Sequence, residues 1–483
     1  MTGPSAIAAQ PPPATQNWVD APPGRALLVG LGSGVQAAGD AMCDAGWTLA
    51  AADRDRRQAA EWADRHGVAV VADDAIGTLD GVDLVVTSAA IPASHAVRRL
   101  AAARGVRCLD YPDWLGEWTR RRRTIAVAGT HGKSTAVALL HALLPDAGLC
   151  GGAAPLGQPN GRFGNDRLVV EACEYRVHFL KLAADVACVL NVEHDHPDAF
   201  ANEAATVAAF AEFAASCPPQ GTLVLAADVA GRLPCDAAPT IVTFAVAGDR
   251  DATTDCAADV KLIPDATADD RFTLRTAAGE QRLTVPNLAP PLWPSLAAAC
   301  AVAFVEGVSP GDIAARLRRF PGLPRRFERR PAGPVQWIAD YAHHPTAIAA
   351  TLAHARTLAG GGDLVAIFEP HQLGRLTAFF DRFVDALAIA DEVWVMPVFA
   401  ARETTGRVDR DAAVGRLAAE LRRRLRAPSA VVAADDGQLD RFTADLHTRL
   451  ASDPTPAAVV LLGAGRIHDF ELEQVRQRLD RAA

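Results

Sequence analysis

The sequence lacks the features of a membrane protein, a nucleic-acid-binding protein and a disulfide-bonded protein. It has no run of 18 strongly apolar residues, so we expect no membrane insertion. It has no excess of basic residues: the formal net charge is −9, which disfavours nucleic acid as a partner. Its nine cysteines include no CxxC pair and are odd in number, so we expect reduced thiols and a cytoplasmic location.

Length and composition indicate a folded protein of several domains. At 483 residues, half of them hydrophobic, the chain suggests about three domains, which we place at residues 25–122, 123–323 and 324–483. A basic run at 120–123 marks the first boundary, and we interpret it as a solvated junction rather than an anion site. Residues 1–24 are rich in Ala and Pro, show no signal-peptide pattern, and are predicted to be a disordered tail.

The most informative segment is a glycine-containing loop at residues 129–135. It follows an apolar run and precedes a helical pattern, which is typical of a phosphate site: glycines let backbone N–H groups face an anion, Lys133 neutralises terminal phosphates, and Ser134 offers its hydroxyl to Mg²⁺. A Walker A loop has glycine where Val127 stands, so the loop is a shortened variant; the alternative is a tight turn with a surface lysine. The predicted nucleotide-binding residues here are Gly129, Thr130, His131, Gly132, Lys133, Ser134 and Thr135.

A second glycine loop begins the first domain. An apolar strand at 25–30 leads into Gly32 and Gly34, a helical pattern follows, and a second strand ends just before Asp53. A βαβ unit with an acidic residue about twenty positions after its glycines is typical of nucleotide-binding folds. Because the third glycine of the dinucleotide fingerprint is missing, a UDP-type pyrophosphate site or a structural turn is favoured over an NAD site.

Acidic and histidine residues follow two strands of the second domain. Glu171 ends one strand, and the segment 191–198 (Asn-Val-Glu-His-Asp-His-Pro-Asp) ends another. Open α/β sheets bind ligands beyond the carboxyl ends of their strands. Beside a phosphate loop, we interpret these groups as positioning Mg²⁺ and the γ-phosphate. These residues could instead bind zinc, but no further ligand that would complete such a site is obvious. For any single residue, the alternative is that it caps the next helix.

Strands and helices alternate along the chain, which predicts the α/β class for all three domains. In the third domain, arginines and histidines lie just before or after predicted strands. Such side chains on a separate domain suit a site that assembles when domains close, because they can neutralise phosphoryl charge and bind a carboxylate. The segments are Arg325–Glu328, Asp340–Pro345, and Glu369–Gln372 with Arg375.

In this order and spacing, the segments resemble those of the Mur ligases, the ATP-dependent amide-forming enzymes of peptidoglycan synthesis. The loop at 129–134 resembles the family's shortened phosphate loop, 171–174 its magnesium glutamate segment, and 191–196 its Asn-x-Glu-x-Asp-His strand end. The segment 340–345 (Asp-Tyr-Ala-His-His-Pro) resembles its third-domain signature. The resemblance covers nearly the whole chain, from about residue 26 to 467.

The resemblance implies an architecture and a reaction. The N-terminal domain would be Rossmann-like and bind UDP-N-acetylmuramate, the central one a P-loop ATPase-like α/β domain, and the C-terminal one a Rossmann-like α/β domain. His131, the doubled histidine and the segment 369–375 are most similar to the branch that joins L-alanine to this nucleotide sugar through an acyl phosphate; a sister branch joins a murein tripeptide to it. The implied cofactors are ATP and Mg²⁺, and the implied form is a monomer or weak homodimer.

The functional residues of the family carry over to matching positions. The implied catalytic residues are Lys133, Glu171, His196, His343 and Arg375. The implied metal ligands are Ser134, Glu171 and His196. Beyond the phosphate loop, the implied nucleotide contacts are Asn287, Arg326 and Asp340. The implied substrate contacts are Gly30, Gly32, Ser33, Ser88 and His371.

Four positions or segments depart from the family pattern. The first glycine loop, at 30–35, lacks the family's Gly-x-Gly-Gly-x-Gly-Met run. The segment 286–295 retains at most Asn287 of the Gly-x-His-Asn-x-x-Asn pattern for the adenine base. Ala339 replaces the first aspartate of the third-domain signature, and Gln372 replaces an arginine. These departures leave open a homologue that binds UDP-sugar or ATP without catalysis, although the residues expected to transfer phosphate are retained.

Overall fold

The computed structural model contains three sheets, one after another along the chain. It describes residues 17–54, 56–68, 70–72, 76–233, 240–248, 258–330, 332–401, 403, 406–425, 431–432, 439–450, 456–468 and 476. Within these ranges, no helix has both the length and the apolar character needed to span a membrane.

The first sheet consists of five parallel strands. These are β1 (Arg25–Val29), β2 (Thr48–Ala52), β3 (Val70–Val71), β4 (Leu84–Thr87) and β5 (Arg107–Asp110). Its helices are α1 (Ser33–Asp44), α2 (Arg56–His66), α3 (Ala96–Arg104) and α4 (Tyr111–Thr119). The strand order is β3-β2-β1-β4-β5, so the order reverses at β1, where open α/β sheets bind ligands.

The second sheet has ten strands. These are β6 (Arg123–Ala128), β7 (Gly148–Cys150), β8 (Gly161–Arg162), β9 (Arg167–Glu171), β10 (Val186–Val189), β11 (Thr222–Ala226), β12 (Thr240–Val246), β13 (Val260–Asp265), β14 (Ala268–Thr276) and β15 (Gly279–Thr284). Its helices are α5 (Lys133–Leu143), α6 (Glu203–Ala215), α7 (Ala227–Ala230), α8 (Trp293–Val305) and α9 (Pro310–Leu317), with 3₁₀ turns at Tyr175–Lys181 and Pro290–Leu292. In the order β15-β14-β13-β12-β11-β10-β6-β9-β7-β8, the neighbours from β13 to β7 are parallel, whereas β14, β15 and β8 add antiparallel pairs.

The third sheet has six strands. These are β16 (Glu328–Arg330), β17 (Gln336–Asp340), β18 (Leu364–Phe368), β19 (Glu392–Val395), β20 (Val431–Val432) and β21 (Ala458–Leu462). Its helices are α10 (Pro345–Ala359), α11 (Leu373–Ala378), α12 (Phe380–Leu387), α13 (Arg407–Arg424) and α14 (Leu439–Leu450), with a 3₁₀ turn at Arg466–His468. In the order β16-β17-β21-β18-β19-β20, only the edge strand β16 is antiparallel to its neighbour.

The third domain has hydrophobic clusters separate from the one that the first and central domains share. One continuous cluster of buried side chains runs from the first domain into the central domain and includes Leu28, Trp114, Ile125 and Phe213. The third domain has separate clusters on the two faces of its own sheet. The first and central domains therefore share a core, whereas the third domain has cores of its own.

The last residues of the predicted tail are packed against α4. Trp18 is 2% exposed, its ring stacks on that of Trp114 with centroids 4.6 Å apart, and its indole N–H donates to Trp114 O at 3.1 Å. The expected disorder therefore does not hold from residue 17 onward, because a sequence-distant tryptophan supplies a partner that composition cannot reveal. The earlier part of the predicted tail, residues 1–16, lies outside the described residues.

The basic run at the first domain boundary is engaged by protein groups. Arg121 pairs with Asp20 at 2.7 Å, and Arg123 pairs with Glu306 at 2.9 Å. These contacts agree with a domain junction rather than an anion site.

Candidate active site

The phosphate loop lies between β6 and α5, where the sequence predicts it. Gly129 and Gly132 have φ values of 149° and 82°, which other residues rarely adopt. A Cβ on Gly132 would lie 2.5 Å from Ser295 Oγ, whose hydroxyl donates to Gly132 O at 3.1 Å. Conformation and space both require glycine here, and the loop faces the positive end of α5.

The segment that follows β10 holds the loop in place. Asn191 Oδ1 accepts a hydrogen bond from His131 N at 2.8 Å, and Asn191 Nδ2 donates to His131 O at 3.1 Å. Glu193 N donates to Thr130 Oγ1, which in turn donates to Glu193 O, each at 2.9 Å. The two predicted segments therefore form one site, as expected for neighbouring strand ends.

Lys133 is buried beside Glu174. Its ammonium lies 2.8 Å from Glu174 Oε2 and donates to Gly129 O at 2.5 Å. Burial would lower the pKa of Lys133, but Glu174 and smaller effects that include Glu171 raise it, so the ammonium stays charged. Burial would likewise raise the pKa of Glu174, but Lys133 and His196 lower it, and the carboxylate stays ionised.

Ser134 and Glu171 face a common space at Gly152. A Cβ on Gly152 would lie 3.0 Å from Glu171 Oε2 and 3.3 Å from Ser134 Oγ, and Gly152 N donates to Glu171 Oε2 at 2.8 Å. Nearby in sequence, Thr135 Oγ1 is buried and has no hydrogen-bond partner among the described residues. Hydroxyl and carboxylate oxygens are ligands that Mg²⁺ prefers, so Ser134 and Glu171 fit the expected metal.

His196 contacts Glu174 and Arg375. Its Nε2 lies 3.5 Å from Glu174 Oε1, and its Nδ1 lies 3.4 Å from a guanidinium nitrogen of Arg375. In the part of the chain that the structure describes, no three His, Cys, Asp or Glu ligand atoms gather around it. A metal-binding role for His196 stays a prediction.

A buried ion pair joins the central and third domains. Arg375 Nε donates to Asp195 Oδ1 at 2.8 Å, and a second guanidinium nitrogen donates to Asp195 Oδ2 at 3.3 Å. Burial would raise the pKa of Asp195, but Arg375 and then His196 hold it well below its usual range. Arg375, one of the implied catalytic residues, therefore also anchors the third domain.

Two histidines of the third domain lie beside this ion pair. The rings of His343 and His371 have centroids 5.4 Å apart, and an Arg375 nitrogen lies 3.0 Å from His371 Nδ1. Burial, followed by the charge of Arg375, holds the pKa of His343 well below its usual range. The structure thus brings His343, His371 and Arg375 together, and His343 is neutral.

Asp340 and Arg326 shape the start of the third domain. The carboxylate of Asp340 accepts from Phe327 N at 2.9 Å and from Ala342 N at 2.7 Å. Burial raises the pKa of Asp340, although Arg326 opposes this. The Arg326 guanidinium lies over the Tyr341 ring, 4.7 Å from its centroid. Both oxygens of Asp340 accept hydrogen bonds inside the domain, and its contact with a nucleotide stays a prediction.

The expected adenine contact, Asn287, lies at the surface. Its side-chain amide donates to Pro321 O at 3.3 Å. In the same segment it is Ser295, buried at the start of α8, that touches the phosphate loop through Gly132. Sequence reasoning missed Ser295, because its only signal was its place in a segment that departs from the family pattern.

The expected substrate contacts of the first domain converge at the ends of β1 and β4. Ser88 N donates to Val29 O at 2.8 Å, and a Cβ on Gly30 would lie 3.0 Å from Ser88 Cβ. Around Gly32 there is open space within 4 Å of such a Cβ, and Ser33 begins α1. The structure brings these four residues together, and their contact with a nucleotide sugar stays a prediction.

His131, Glu193 and His344 form a cluster where the central and third domains meet. His131 Nε2 lies 2.9 Å and His344 Nδ1 3.9 Å from Glu193 Oε2, and the three ligand atoms lie within 4.8 Å of one another. That spacing could suit a metal ion. Glu193 also accepts from Thr346 and Arg382, so an arginine already supplies the positive charge. We interpret the cluster as a hydrogen-bonded ionic network.

Sequence reasoning gave no individual role to several residues that the structure places in the site. Those within predicted segments had at least a local signal, whereas Arg382 on α12 had none. They are Glu174, Asn191, Glu193, Asp195, Ser295, His344, Thr346 and Arg382.

Two family models match the chain. The Mur ligase middle domain matches residues 127–267, and the Mur ligase glutamate ligase domain matches residues 325–465. The phosphate loop lies within the first match, and the histidine and arginine segments of the third domain lie within the second.

Named relatives and solved structures agree with these matches. The UDP-N-acetylmuramate–L-alanine ligase of Frankia casuarinae is 33% identical over 80% of this chain and 83% of its own length, and that of Acidothermus cellulolyticus is 39% identical over 68% and 70%. The solved UDP-N-acetylmuramate–alanine ligase of Thermotoga maritima has a TM-score of 0.71 at 19% identity, covering 95% of this chain and 100% of its own. The solved murein peptide ligase of Psychrobacter arcticus has a TM-score of 0.67 at 22% identity, covering 95% and 98%. The α/β fold is confirmed, and the chain belongs to the Mur ligase family.

Proposed function

We propose that this protein is an ATP-dependent ligase that joins L-alanine to UDP-N-acetylmuramate in peptidoglycan synthesis. The observation that carries the proposal is the phosphate loop, in which buried Lys133 faces Glu174 while Ser134 and Glu171 converge at Gly152. The names and coverage of the curated relatives support the choice of substrates.

The reaction we propose has two steps. A lactyl carboxylate oxygen bonds to the γ-phosphorus of ATP while the bond to ADP breaks, which gives an acyl phosphate. The amine of L-alanine then bonds to the acyl carbon, phosphate leaves, and the amine loses a proton. Both steps develop negative charge on phosphoryl or carbonyl oxygens, so charge stabilisation and positioning account for most of the catalysis.

The residues of this chain supply that charge and positioning. The loop N–H groups and the start of α5 receive the phosphates, and Lys133 holds a positive charge beside them. Ser134 and Glu171 would hold Mg²⁺, which neutralises phosphate charge when bound. Neutral His343 lies beside His371 where the third domain meets this site, and the two could orient the amine and its proton.

The first domain would bind the nucleotide sugar at the reversal of its strand order. Gly30, Gly32, Ser33 and Ser88 meet there, beside the N-terminus of α1, which favours an anion such as a diphosphate. Because the first and central domains share one core, the sugar's carboxylate can be held in a fixed position relative to the phosphate loop.

Several finer assignments belong to the same proposal. We propose that the metal is Mg²⁺, that the enzyme works in the cytoplasm as a monomer or weak homodimer, and that its product supports cell-wall growth, cell shape and division. Analytical ultracentrifugation of the purified protein would check the oligomeric state, and activity with and without Mg²⁺ would check the metal.

A phosphate-release assay tests the proposed function. Purified protein is supplied with ATP, Mg²⁺ and UDP-N-acetylmuramate, together with L-alanine, other amino acids or L-Ala-γ-D-Glu-meso-diaminopimelate. We expect release with L-alanine, and mass spectrometry should find the L-alanyl product. If phosphate is released only with the tripeptide, the tripeptide and not L-alanine is the acceptor. If phosphate is released with none of the acceptors, the result favours a protein that binds its ligands without catalysis.

A further inference from the structure

Glu193 is joined to the phosphate loop by both its backbone and its side chain. Its N–H and C=O each share a 2.9 Å hydrogen bond with Thr130 Oγ1, and its carboxylate Oε2 lies 2.9 Å from His131 Nε2. Thr130 and His131 lie between Gly129 and Gly132. Glu193 therefore contacts the part of the loop whose conformation forms the phosphate site.

The other carboxylate oxygen of Glu193 contacts the third domain. Oε1 accepts from Thr346 Oγ1 at 2.7 Å and from the guanidinium of Arg382, which also donates to Thr346 Oγ1 at 2.8 Å. Thr346 lies in the first turn of α10, and Arg382 lies on α12. These two side chains reach the loop through Glu193, while His344 gives a second contact by packing its ring 4.7 Å from that of His131.

Because Glu193 is ionised, its carboxylate can accept hydrogen bonds from the phosphate loop and from the third domain at the same time. Burial would raise the pKa of Glu193, but hydrogen bonds from His131, Arg382 and Thr346 hold it well below its usual range. An ionised carboxylate only accepts hydrogen bonds and has two oxygens to share between partners. One oxygen faces the loop and the other faces the third domain, so a change on either side can move or reorient the same carboxylate.

The separate hydrophobic cores of the domains make the contacts of Glu193 important for attaching the third domain. The third domain has apolar clusters of its own, whereas the first and central domains share one. Its attachment at the active site includes buried and half-buried polar contacts, among them the Arg375–Asp195 pair and the contacts of Glu193. Such contacts form and break together when domains close and open.

We propose that Glu193 is a positioning residue that couples docking of the third domain to the geometry of the phosphate loop. This inference rests on the proposed function, because it assigns Glu193 to the ATP site of that reaction. Docking of Thr346 and Arg382 fixes the carboxylate, which then fixes His131 and the loop. By linkage, ATP in the loop must favour docking by the same factor by which docking favours ATP.

A double-mutant cycle tests this coupling. His131→Phe keeps a ring against His344 but removes the nitrogen that Glu193 contacts, and Arg382→Gln removes the guanidinium on the opposite side. We expect each change to reduce kcat/KM for ATP by about 5- to 150-fold, the usual range of a coupling between sites. The double variant should be little worse than the poorer single variant, because both interrupt one connection.

Glu193→Gln gives the second measurement. It should weaken ATP binding in calorimetry and speed hydrogen exchange of the loop amides at 129–132. Arg382→Gln, which alters only the third-domain side, should also speed exchange in the loop, but not further in the Glu193→Gln background. A residue with only a structural role in the central domain would not transmit a third-domain change to the loop amides.

Matched controls come from helices of the third domain away from the loop. Glu420→Gln changes a carboxylate of the same 25% side-chain exposure as Glu193, and it contacts arginines of its own helix. Arg441→Gln changes an arginine that pairs with Asp445 one turn away. Both variants should keep ATP affinity, loop exchange and turnover.

The outcomes separate this inference from the proposed function. Multiplicative losses in the cycle, or unchanged ATP affinity and loop exchange in Glu193→Gln, would overturn the coupling even if the wild-type protein ligates L-alanine. If the wild-type protein has no ligase activity, calorimetry and hydrogen exchange still measure the coupling between ATP and the third domain.

Discussion

Asp195→Asn tests the buried ion pair that joins the central and third domains. Asp195 contacts Arg375 at 2.8 and 3.3 Å, and Arg375 is only 2% exposed. The substitution keeps the shape of the side chain but leaves the guanidinium without its charge partner. Removing one member of a buried pair usually costs about 3–5 kcal/mol, because the remaining charge stays away from water.

Because the Asp195–Arg375 pair lies between two domains, losing it should separate the domains rather than unfold either of them. Because the third domain has its own apolar clusters, it can separate from the central domain and let Arg375 reach water without unfolding. We therefore expect a larger radius of gyration in small-angle X-ray scattering and little change in the urea midpoint of unfolding. Phosphate release should fall about 100-fold or more, which corresponds to roughly 3 kcal/mol at the transition state.

Two further variants make this prediction refutable. Asp391→Asn changes an aspartate of a more exposed pair with Arg356, and it should leave scattering and turnover unchanged. Combining Asp195→Asn with Arg375→Gln removes both charges, so the radius of gyration should return toward the wild-type value although activity stays low. Wild-type scattering and turnover in Asp195→Asn alone would refute the reasoning.

Three other predictions follow from single contacts. Lys133→Ala should slow phosphate release by roughly 3 kcal/mol or more of lost transition-state stabilisation, whereas the control Lys261→Ala should not, as measured by steady-state kinetics. Trp18→Ala should lower the free energy of unfolding by roughly 3–5 kcal/mol in urea titration, against no change for Val408→Ala at an exposed site. Burial and then His131 lower the pKa of His344 to about 4. The contribution of neutral His344 to the free energy of unfolding is therefore complete above about pH 6.5 and is lost as the pH falls to about 4. His344→Asn should make the free energy of unfolding less dependent on pH in this range.

The sequence predicted those parts of the site that lie at strand ends. The phosphate loop follows β6, Glu171 ends β9, and the segment 191–198 follows β10, each close to its predicted position. Parallel strands share one carboxyl edge, so residues far apart in the chain meet there without further information. The same principle accounts for the proximity of Gly30 and Ser88, which the family resemblance implied and which follow β1 and β4.

The contacts between domains could not be predicted in this way. Asp195 was part of a predicted segment, but no pattern showed that Arg375 would be its partner 180 residues later. Arg382 lies on a helix with no motif, and Trp18 was assigned to a tail because composition describes a segment and not its partners. Likewise, the polar hairpins of β13, β14 and β15 carry too weak an apolar signal to be found without the neighbouring strand β12.

The polar contacts at the junction with the third domain have a mechanistic consequence. An apolar junction would hold the domain closed regardless of ligand, whereas Arg375 and Arg382 are held by carboxylates that anionic ligands resemble. A substrate carboxylate or phosphate near Asp195 can compete for Arg375 with a group of the same charge, so binding and domain position are linked by electrostatics. Arg375 can thus exchange Asp195 for a substrate anion while the contacts of Glu193 keep the third domain docked at the phosphate loop.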